Sequence, residues 1–396
     1  MNNNYIVRVV FFEPYPMGLG GNFLTQRMIL ERLDRERFYP VIMAPMDGVA
    51  LDRFRAMGVE CVVIPPSGAL GRYGGAVLRA GVFGRLKSAI DLVRYNLHLA
   101  RFFRTRKINL VYANCVRAQL SVGLAAWLLR IPVFLYVKGE LSNPLIDRLA
   151  ILSAKKVGFM CDFALENARR LYRRLIDGKY VIVRGGIDLP DIECCLEGGE
   201  EDPAVVFDRD NLNTVVIGQT YPLKNQMLAL EAFARVAEEF PSARLYVIGD
   251  PVLEDYRPYL DKLKTVAARS DLDGRVFFLP WSEKIYVLMA CADILVNPSN
   301  SEGFGYVVIE AMALGLPVVA TRTGVVSEAI RDSVNGFSVA IGDCDAMADR
   351  WRELLSSPEL RQRLGKEAQR TIFADYLIDD KVARLSEIWS EMAVGE

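Results

Sequence analysis

The chain alternates short apolar runs with amphipathic stretches of helical spacing. In the first half, runs rich in β-branched and aromatic residues predict seven strands: Tyr5–Phe12, Tyr39–Ala44, Glu60–Ile64, Leu110–Ala113, Pro132–Val137, Val157–Phe159 and Tyr180–Val183. Strands that are apolar throughout and separated by helices are typical of parallel sheets buried on both faces. The first half therefore predicts a doubly wound α/β domain.

The same alternation begins again after an acidic stretch. The segment from Leu189 to Asn211 has a composition typical of linkers, and five further strands are predicted beyond it: Thr214–Gly218, Arg244–Gly249, Val276–Leu279, Ile294–Asn297 and Pro317–Ala320. We expect a second Rossmann-like domain there. From Tyr376 to Met392, apolar positions at helical spacing predict a final helix that packs back.

These patterns predict four segments: an N-terminal Rossmann-like domain at 1–188, a linker at 189–212, a second such domain at 213–370 and a C-terminal helix at 371–396. Two facing α/β domains would form a cleft at the carboxyl ends of both sheets, where ligands of such folds bind. We therefore expect the functional residues in the loops that follow the strands.

Composition restricts the class of protein. A chain of 396 residues with 52% hydrophobic and 24% charged residues is typical of a globular protein with two cores. The apolar run after Met1–Tyr5 is too short to span a membrane, so we expect neither a signal peptide nor a transmembrane helix. The seven cysteines form no CxxC pair and are expected to be reduced thiols of a cytoplasmic protein.

The net charge of −1 hides a strong asymmetry. Residues 1–190 hold 28 Lys and Arg against 14 Asp and Glu, which leaves 20 against 35 for the rest of the chain. The halves thus carry charges of +14 and −15. An anionic partner of the basic half would explain this difference, and so would attraction between the two domains.

A strand–loop–helix segment from Ser299 to Glu328 carries the candidate chemistry. Glycines 303 and 305 allow a tight turn and a close approach to a ligand, and the helix predicted to start near Phe304–Tyr306 offers unpaired N–H groups. Glu302 precedes this helix and Glu310 lies two turns into it. The sequence thus predicts an anion site flanked by two carboxylates that can accept bonds from sugar or ribose hydroxyls.

The spacing Glu302-x7-Glu310, with Gly303-Phe304-Gly305 and the sequence Glu-Ala-Met-Ala-x-Gly-x-Pro from Glu310, resembles the motif of family 4 retaining glycosyltransferases, also called glycosyl transferases group 1. Other segments fall in the family's order: Gly18-Leu-Gly-Gly21, Val183-Arg-Gly-Gly-Ile-Asp188, Lys224-Asn-Gln, Arg275-Val-Phe-Phe and Asn335-Gly-Phe. The resemblance covers nearly the whole chain. It implies the GT-B fold, an acceptor-binding first domain and a second domain that holds a nucleotide-diphosphate sugar.

The resemblance also implies roles for single residues. Glu302 would bind hydroxyls of the donor sugar, Glu310 the ribose and Lys224 the diphosphate, whereas Phe304 and Gly305 would offer backbone amides. The remaining predicted donor-site residues are Gly303 and Tyr306 in the same motif, Leu279 and Trp281 beside the base, Gly20 and Gly21 lining the cleft from the opposite side, and Gln219 at the position of the family's arginine.

The chain departs from the family where cations are expected. Gly218-Gln219 replaces the family's glycine–arginine pair, so one of two phosphate cations is missing. Lys138 stands where many members carry a histidine, and either restores a positive charge near the diphosphate or is a solvated substitute. The family's usual paired glycines appear as Thr323-Gly324.

No cofactor and no metal are expected. Transfer from a diphosphate leaving group requires stabilisation of negative charge, which Lys224 and a helix N-terminus can provide. No Asp-x-Asp motif follows a suitable strand, because Asp208-x-Asp210 lies in the predicted linker and Asp343-x-Asp345 lies after the other motifs. Family resemblance implies retention of anomeric configuration, by front-face attack in which the departing phosphate accepts the proton of the acceptor.

The basic segment Arg79–Lys107 interleaves eight Lys and Arg residues with apolar ones. It is interpreted either as a helix that lies on an anionic membrane surface or as a core helix with a solvated basic side. A second cluster at Arg169–Arg174 would extend the same patch. The single histidine, His98, lies in this helical run and is expected to be structural. Motifs for nucleic-acid recognition were not found.

The sequence therefore predicts a cytoplasmic glycosyltransferase, peripheral on the inner membrane face in one interpretation. It would transfer a sugar to a glycan or polyprenyl-linked acceptor in cell-surface polysaccharide or glycoconjugate biosynthesis. Two alternatives remain open: a non-catalytic sugar-nucleotide-binding or scaffold subunit, and a nucleotide-sugar epimerase on the same fold.

Overall fold

The computed structural model describes residues 6–66, 82–139, 141, 143–197, 207, 208, 210–251 and 253–394. The chain divides into two compact units. The first comprises 1–160, 164–184 and 378–396, and the second comprises 161–163 and 185–377. Each unit contains one parallel sheet, which confirms the expected pair of Rossmann-like α/β domains.

The sheet of the first unit has seven parallel strands in the order β3-β2-β1-β4-β5-β6-β7. The chain runs outward from β1 to one edge and then returns to the other side of β1, so the order reverses between β1 and β4. The carboxyl ends of these two strands flank the switch point, where ligands of such folds bind. The strands are β1 Val7–Phe12, β2 Phe38–Ala44, β3 Glu60–Val63, β4 Leu110–Ala113, β5 Val133–Val137, β6 Lys156–Phe159 and β7 Tyr180–Ile182.

Helices cover both faces of this sheet. They are α1 Gly21–Arg32, α2 Val49–Ala56, α3 Val82–Thr105, α4 Val116–Leu128, α5 Pro144–Ser153 and α6 Asp162–Ile176. The connections through α3, α4 and α5 all move toward the same edge of the sheet. Because such crossovers are right-handed, these three helices lie on one face. No helix within the described residues is long and apolar enough to cross a membrane.

The second sheet has six parallel strands in the order β10-β9-β8-β11-β12-β13. Its strands are β8 Leu212–Ile217, β9 Ala243–Ile248, β10 Val276–Leu279, β11 Ile294–Asn297, β12 Val318–Thr321 and β13 Phe337–Val339. The sequence analysis missed β13, because three residues are too few to show a period.

The helices of the second unit surround this sheet. They are α7 Leu189–Glu197, α8 Gln226–Ala237, α9 Arg257–Ala267, α10 Ile285–Ala290, α11 Tyr306–Ala313, α12 Val326–Ala329, α13 Cys344–Ser356 and α14 Pro358–Asp375, with 3₁₀ turns at Pro222–Lys224 and Glu254–Tyr256. Helix α7 lies inside the stretch for which a linker was predicted. Its apolar Ile192 is buried, which explains why this part of the stretch is helical.

The last helix, α15 at Ile378–Val394, belongs to the first unit. Its Trp389 is fully buried and lies against three aromatic rings of the first sheet, with centroid distances of 5.6 Å to Phe11, 5.3 Å to Tyr112 and 6.0 Å to Phe38. The return of the C-terminal helix to the first domain is therefore confirmed. Its beginning at Ile378 follows a break at Tyr376, which ends α14.

We predict that Trp389→Ala lowers the free energy of unfolding by about 3–5 kcal/mol, because it leaves a cavity among three packed rings. Chemical denaturation followed by circular dichroism measures this change. Val394→Ala, at an exposed position of the same helix, is the control and should change the value by less than about 0.5 kcal/mol. Equal effects of the two substitutions would contradict the proposed packing of α15.

Candidate functional site

The carboxyl edge of the second sheet carries most of the predicted site residues. Gly218 and Gln219 follow β8, the 3₁₀ turn Pro222–Lys224 comes next, and the loop after β11 leads into α11. Since β8 and β11 are neighbours in the sheet, their following loops meet at the point where the strand order reverses. The sheet topology thus brings segments far apart in sequence to one place.

An ion pair joins these two loops. Lys224 Nζ lies 2.6 Å and 2.7 Å from the two carboxylate oxygens of Glu302, with the side chains 20% and 9% exposed. The turn that carries Lys224 ends at Asn225, whose left-handed backbone (φ 50°) starts α8. Lys224, predicted to bind the diphosphate, and Glu302, predicted to bind the sugar, therefore lie together. Their charges neutralise each other.

Buried hydroxyl groups hold the loop of Glu302 in place. Ser299 Oγ lies 2.8 Å from Glu302 Oε1 and 2.8 Å from Asn297 Oδ1. The hydroxyl of Thr321, at the end of β12, donates to the carbonyl of Ser299 at 2.5 Å. These contacts orient the carboxylate of Glu302 before any ligand arrives. The sequence analysis did not assign roles to Asn297, Ser299 or Thr321, although the first two flank the recognised motif.

The amino end of α11 is fixed by two glycines. Gly305 precedes the helix with φ 100° and offers no side chain as a cap. Gly324 has φ 53°, and a Cβ atom there would lie only 2.3 Å from the carbonyl oxygen of Phe304. The N–H of Val325 donates to that carbonyl at 2.6 Å. Where the family usually has two glycines, this chain has Thr323 and Gly324. The glycine that is kept is the one that this close contact requires.

The residues of the motif take distinct positions. Phe304 is buried and its ring lies 5.0 Å from that of Tyr306, whereas Gly303 is half-buried in the loop. Tyr306 begins α11. The amino end of a helix carries a positive partial charge. An anionic group is the ligand that such an end favours.

Glu310 lies inside α11 and is half-buried beside Tyr286 of α10. The Tyr286 hydroxyl donates to Glu310 Oε1 at 3.2 Å. Burial raises the pKa of Glu310 to about 7, the bond from Tyr286 lowers it, and the charge of Asp191 raises it further. Tyr286 was not predicted, because it lies in a short and otherwise apolar helix without a recognisable motif.

The loop predicted beside the base is also described. Leu279 ends β10 and its carbonyl accepts from the N–H of Gly249 at 2.9 Å. The N–H of Trp281 donates to Asp250 Oδ2 at 2.9 Å, and its indole is exposed. The neutral side chain of Gln219 is exposed as well. Lys224 is thus the cation that the structure places beside Glu302.

In the first unit, Lys138 lies beside the predicted glycine turn. Its Nζ donates to Asn22 Oδ1 at 3.0 Å, and Asn22 is in the first turn of α1, directly after Gly20 and Gly21. A Cβ atom at either glycine would meet no other atom within 4 Å. Lys138 and the glycine turn are therefore close neighbours.

Burial changes the ionisation of this region. It lowers the pKa of Lys138 to about 8, while Cys115 and Glu13 raise it. Glu13, directly after β1, is buried and accepts bonds from the N–H of Tyr15 at 2.7 Å and from Gln26 Nε2 at 2.5 Å. Burial raises the pKa of Glu13. The sequence analysis missed Glu13 because a single carboxylate after a strand has no distinctive spacing.

The two Asp-x-Asp sequences have local roles. Asp343 Oδ1 accepts from the N–H of Ala346 and caps α13, and Asp345 pairs with Arg235 at 2.6 Å. Asp208 accepts from Asn211 Nδ2 at 2.8 Å. Across the part of the chain that the structure describes, no group of three His, Cys, Asp or Glu side chains is placed to hold a metal ion.

Comparison with known proteins finds a family match for part of the chain. Residues 200–371 match the family model described as glycosyl transferases group 1. Among curated relatives, the putative glycosyltransferase EpsD of Bacillus subtilis is 33% identical over 175 residues, which is 44% of each chain. The N-acetyl-alpha-D-glucosaminyl L-malate synthase of Bacillus anthracis is 28% identical over 163 residues, which is 41% of each chain. The matches thus span less than half of these relatives' lengths.

Solved structures extend the likeness to nearly the whole fold. The Anabaena protein Alr3699/HepE, solved in complex with UDP, superposes with a TM-score of 0.77 over 97% of this chain and 100% of its own, at 20% identity. At this identity the superposition shows the fold alone.

The two parallel sheets and the strand–loop–helix site define a protein of the GT-B class. Residues 200–371 match the group 1 glycosyl transferases, which confirms the resemblance seen in the sequence for this part of the chain.

The raised pKa of Glu310 predicts pH-dependent donor binding. A carboxyl group accepts hydrogen bonds from ligand hydroxyls most strongly when it is ionised. Glu310 loses its proton as the pH rises through about 7. The affinity for a ligand whose hydroxyls bond to Glu310 should therefore increase about 10-fold from pH 6 to pH 8, and UDP-glucose is a suitable probe because its diphosphate does not titrate near neutrality.

Isothermal titration calorimetry at several pH values measures this change. Glu310→Gln is the control, because its amide does not titrate, and its affinity should be weak and flat with pH. An unchanged pH slope in this variant would show that another group causes the dependence.

Proposed function

We propose that the protein is a glycosyltransferase that moves a sugar from a nucleotide-diphosphate donor to a hydroxyl of an acceptor. One observation carries the proposal: the Lys224–Glu302 ion pair lies in the loops beside α11, whose amino end has no side-chain cap. A diphosphate sugar carries an anionic group and adjacent hydroxyls. The pair offers a cation for the first and a carboxylate for the second.

Each residue would have one task in this reaction. The diphosphate would lie against the amino end of α11 and draw Lys224 away from Glu302, which would then accept bonds from sugar hydroxyls. Glu310 would exchange its bond with Tyr286 for bonds to the ribose. Lys224, once released from Glu302, and the amino end of α11 would stabilise the charge that develops on the departing phosphate.

The bond changes balance without a further reagent. The bond from the anomeric carbon to the phosphate oxygen breaks, a bond from that carbon to the acceptor oxygen forms, and the acceptor's proton moves to the departing phosphate. We propose that the sugar is transferred from the front face with retention of configuration. We also propose that Lys224 and the helix end replace a metal as the source of positive charge.

The acceptor belongs to the same proposal. A glycan or polyprenyl-linked acceptor, used in polysaccharide or glycoconjugate synthesis on the cytoplasmic face of the membrane, agrees with the excess of positive charge in residues 1–190. Within Arg79–Lys107, Arg79 and the side chain of Arg85 lie outside the described residues. The described part exposes both basic and apolar side chains, which supports membrane contact more than a purely solvated basic side.

A second candidate is a sugar-nucleotide-binding subunit without catalysis. The exposed, neutral Gln219 favours it, because one cation stabilises a leaving diphosphate less well than two.

A panel of UDP-, GDP- and dTDP-sugars, with nucleotide release followed in the presence and absence of EDTA, separates these functions. We expect release that depends on acceptor and resists EDTA. Tight binding without release, in the presence of acceptor extracts, would indicate the binding subunit. Conversion of the donor to its sugar epimer without release would indicate an epimerase, and EDTA-sensitive turnover would contradict metal independence.

We predict that Lys224→Met and Glu302→Gln each reduce kcat/KM at least about 10-fold, which corresponds to about 1.4 kcal/mol of transition-state stabilisation. Steady-state kinetics with the best donor of the panel measures the loss. Lys264→Met removes an exposed lysine of α9 in the same unit and serves as the control. Rates near those of the wild type in both site variants would refute the site assignment.

A further inference from the structure

Helix α5 exposes a stripe of leucines on the first unit. Leu145, Leu149 and Leu152 are 70%, 54% and 59% exposed. Their spacing of four and three residues places them on one side of the helix. Single exposed leucines are ordinary, but three large ones in a row on one helix form a continuous apolar strip.

The two neighbouring helices continue this strip. Helix α4 packs against α5 and exposes Trp127, which is 68% exposed, together with Leu128 at its carboxyl end. Helix α3 packs against the other side of α4 and exposes Ile90, Val93 and Leu97. Since all three helices lie on one face of the first sheet, their exposed side chains form one surface, here called the α3–α5 surface.

The exposed charges of these three helices have one sign, whereas Glu391 of α15 lines the same pocket as Trp127, Arg130 and Lys155 at the edge of the surface. Within the sequences of α3, α4 and α5 the acidic residues are Asp91 and Asp147, which are 7% and 4% exposed. Asp147 is used internally, where it accepts from the N–H of Asn143 at 2.8 Å and from the Tyr172 hydroxyl at 3.2 Å. The exposed charged side chains of these helices are basic: Lys87, Arg94, Arg101, Arg104 and Arg148.

Further cations lie just beyond the ends of the helices. Arg130 follows α4 and Lys155 follows α5, and both are exposed. Apolar side chains interleaved with cations are typical of elements that lie in the interface of a membrane, where charge attracts anionic headgroups and apolar groups enter the acyl boundary. A tryptophan is favoured at that depth because its ring is apolar and its N–H is polar.

A second copy of the chain fits this surface poorly. A symmetric dimer would place the same basic side chains of both copies against each other, with no exposed carboxylate on these helices to neutralise them. An anionic lipid surface is complementary in both charge and polarity. We therefore infer that the α3–α5 surface docks on an anionic membrane, with the leucines of α5 and Trp127 inserted among the lipids.

This inference goes beyond sugar transfer and extends the predicted contact at 79–107 to α4 and α5. Docking would hold the first unit at the membrane surface, in reach of lipid-linked acceptors. Vesicle binding is measured without a nucleotide sugar. A failure of the docking and a failure of the proposed reaction are therefore distinguishable.

Vesicle flotation tests the docking directly. The wild-type chain should float with phosphatidylcholine vesicles that contain phosphatidylglycerol, and should not float with phosphatidylcholine alone or at high salt. Substitution of Leu145, Leu149 and Leu152 by serine should reduce partitioning at least about 10-fold, because the apolar contribution is lost. Leu253→Ser removes a leucine that is 55% exposed in the second unit and should have no effect.

A charge variant separates the two contributions. The double variant Arg94→Glu/Arg148→Glu should no longer bind vesicles that contain phosphatidylglycerol more strongly than vesicles of phosphatidylcholine alone. Its far-ultraviolet circular dichroism should stay that of the wild type. Should the leucine variant fail to fold, this variant decides the question. Binding that persists in both folded variants would overturn the inference.

Trp127 reports insertion in the unmodified surface. Two of the four tryptophans, Trp351 and Trp389, are fully buried, so Trp281→Phe leaves Trp127 as the exposed indole. Its emission should shift to the blue with anionic vesicles and be quenched by brominated lipid. Absence of a shift would contradict insertion. A concentration-dependent dimer that the leucine substitutions dissociate, without vesicle binding, would instead identify a second copy as the occupant.

Discussion

The candidate site depends on one constraint: Glu302 must stay beside Lys224 while the amino end of α11 remains open. Glu302 is only 9% exposed, and an ionised carboxylate that leaves water needs compensation. Lys224 compensates its charge, and the Ser299 hydroxyl gives a further contact. Because the charges of Lys224 and Glu302 neutralise each other, both side chains can stay partly buried until a ligand binds between them.

The same balance applies to three other ionisable groups. Glu310 has Tyr286 as its donor, and Glu13 has Gln26 and a backbone N–H. Their pKa values are raised because burial outweighs these hydrogen bonds. Lys138 shows the opposite shift for the same reason. Glu310 and Lys138, with pKa values of about 7 and about 8, are thus close to a change of protonation, which is common at functional sites.

The sequence predicted most of the fold because the strands are buried on both faces. The strand Ile294–Asn297 is buried along its length and apolar up to its last residue, and turns bound it on either side, so its limits were predicted correctly. Strand β13 was missed because its three residues carry too little pattern, and α7 was missed because acidic residues hide its apolar side. Local sequence patterns thus predict strands and helices best where consecutive residues are buried.

The site was predicted in part for a related reason. Glu302, Gly305 and Glu310 lie in one segment whose spacing is visible in the sequence. Tyr286, Thr321 and Glu13 act through contacts between elements, and the sequence does not show which side chains meet. Lys224 was found through family resemblance, yet its bond to Glu302, 78 residues away, required the structure.

A crystal structure of the chain with a bound nucleotide-diphosphate sugar would test the central claim most directly. The predicted result is a diphosphate at the amino end of α11, with Lys224 Nζ moved from Glu302 to a phosphate oxygen and Glu302 bonded to sugar hydroxyls. A nucleotide bound elsewhere, with the Lys224–Glu302 pair at its present distance of 2.6 Å, would contradict the claim.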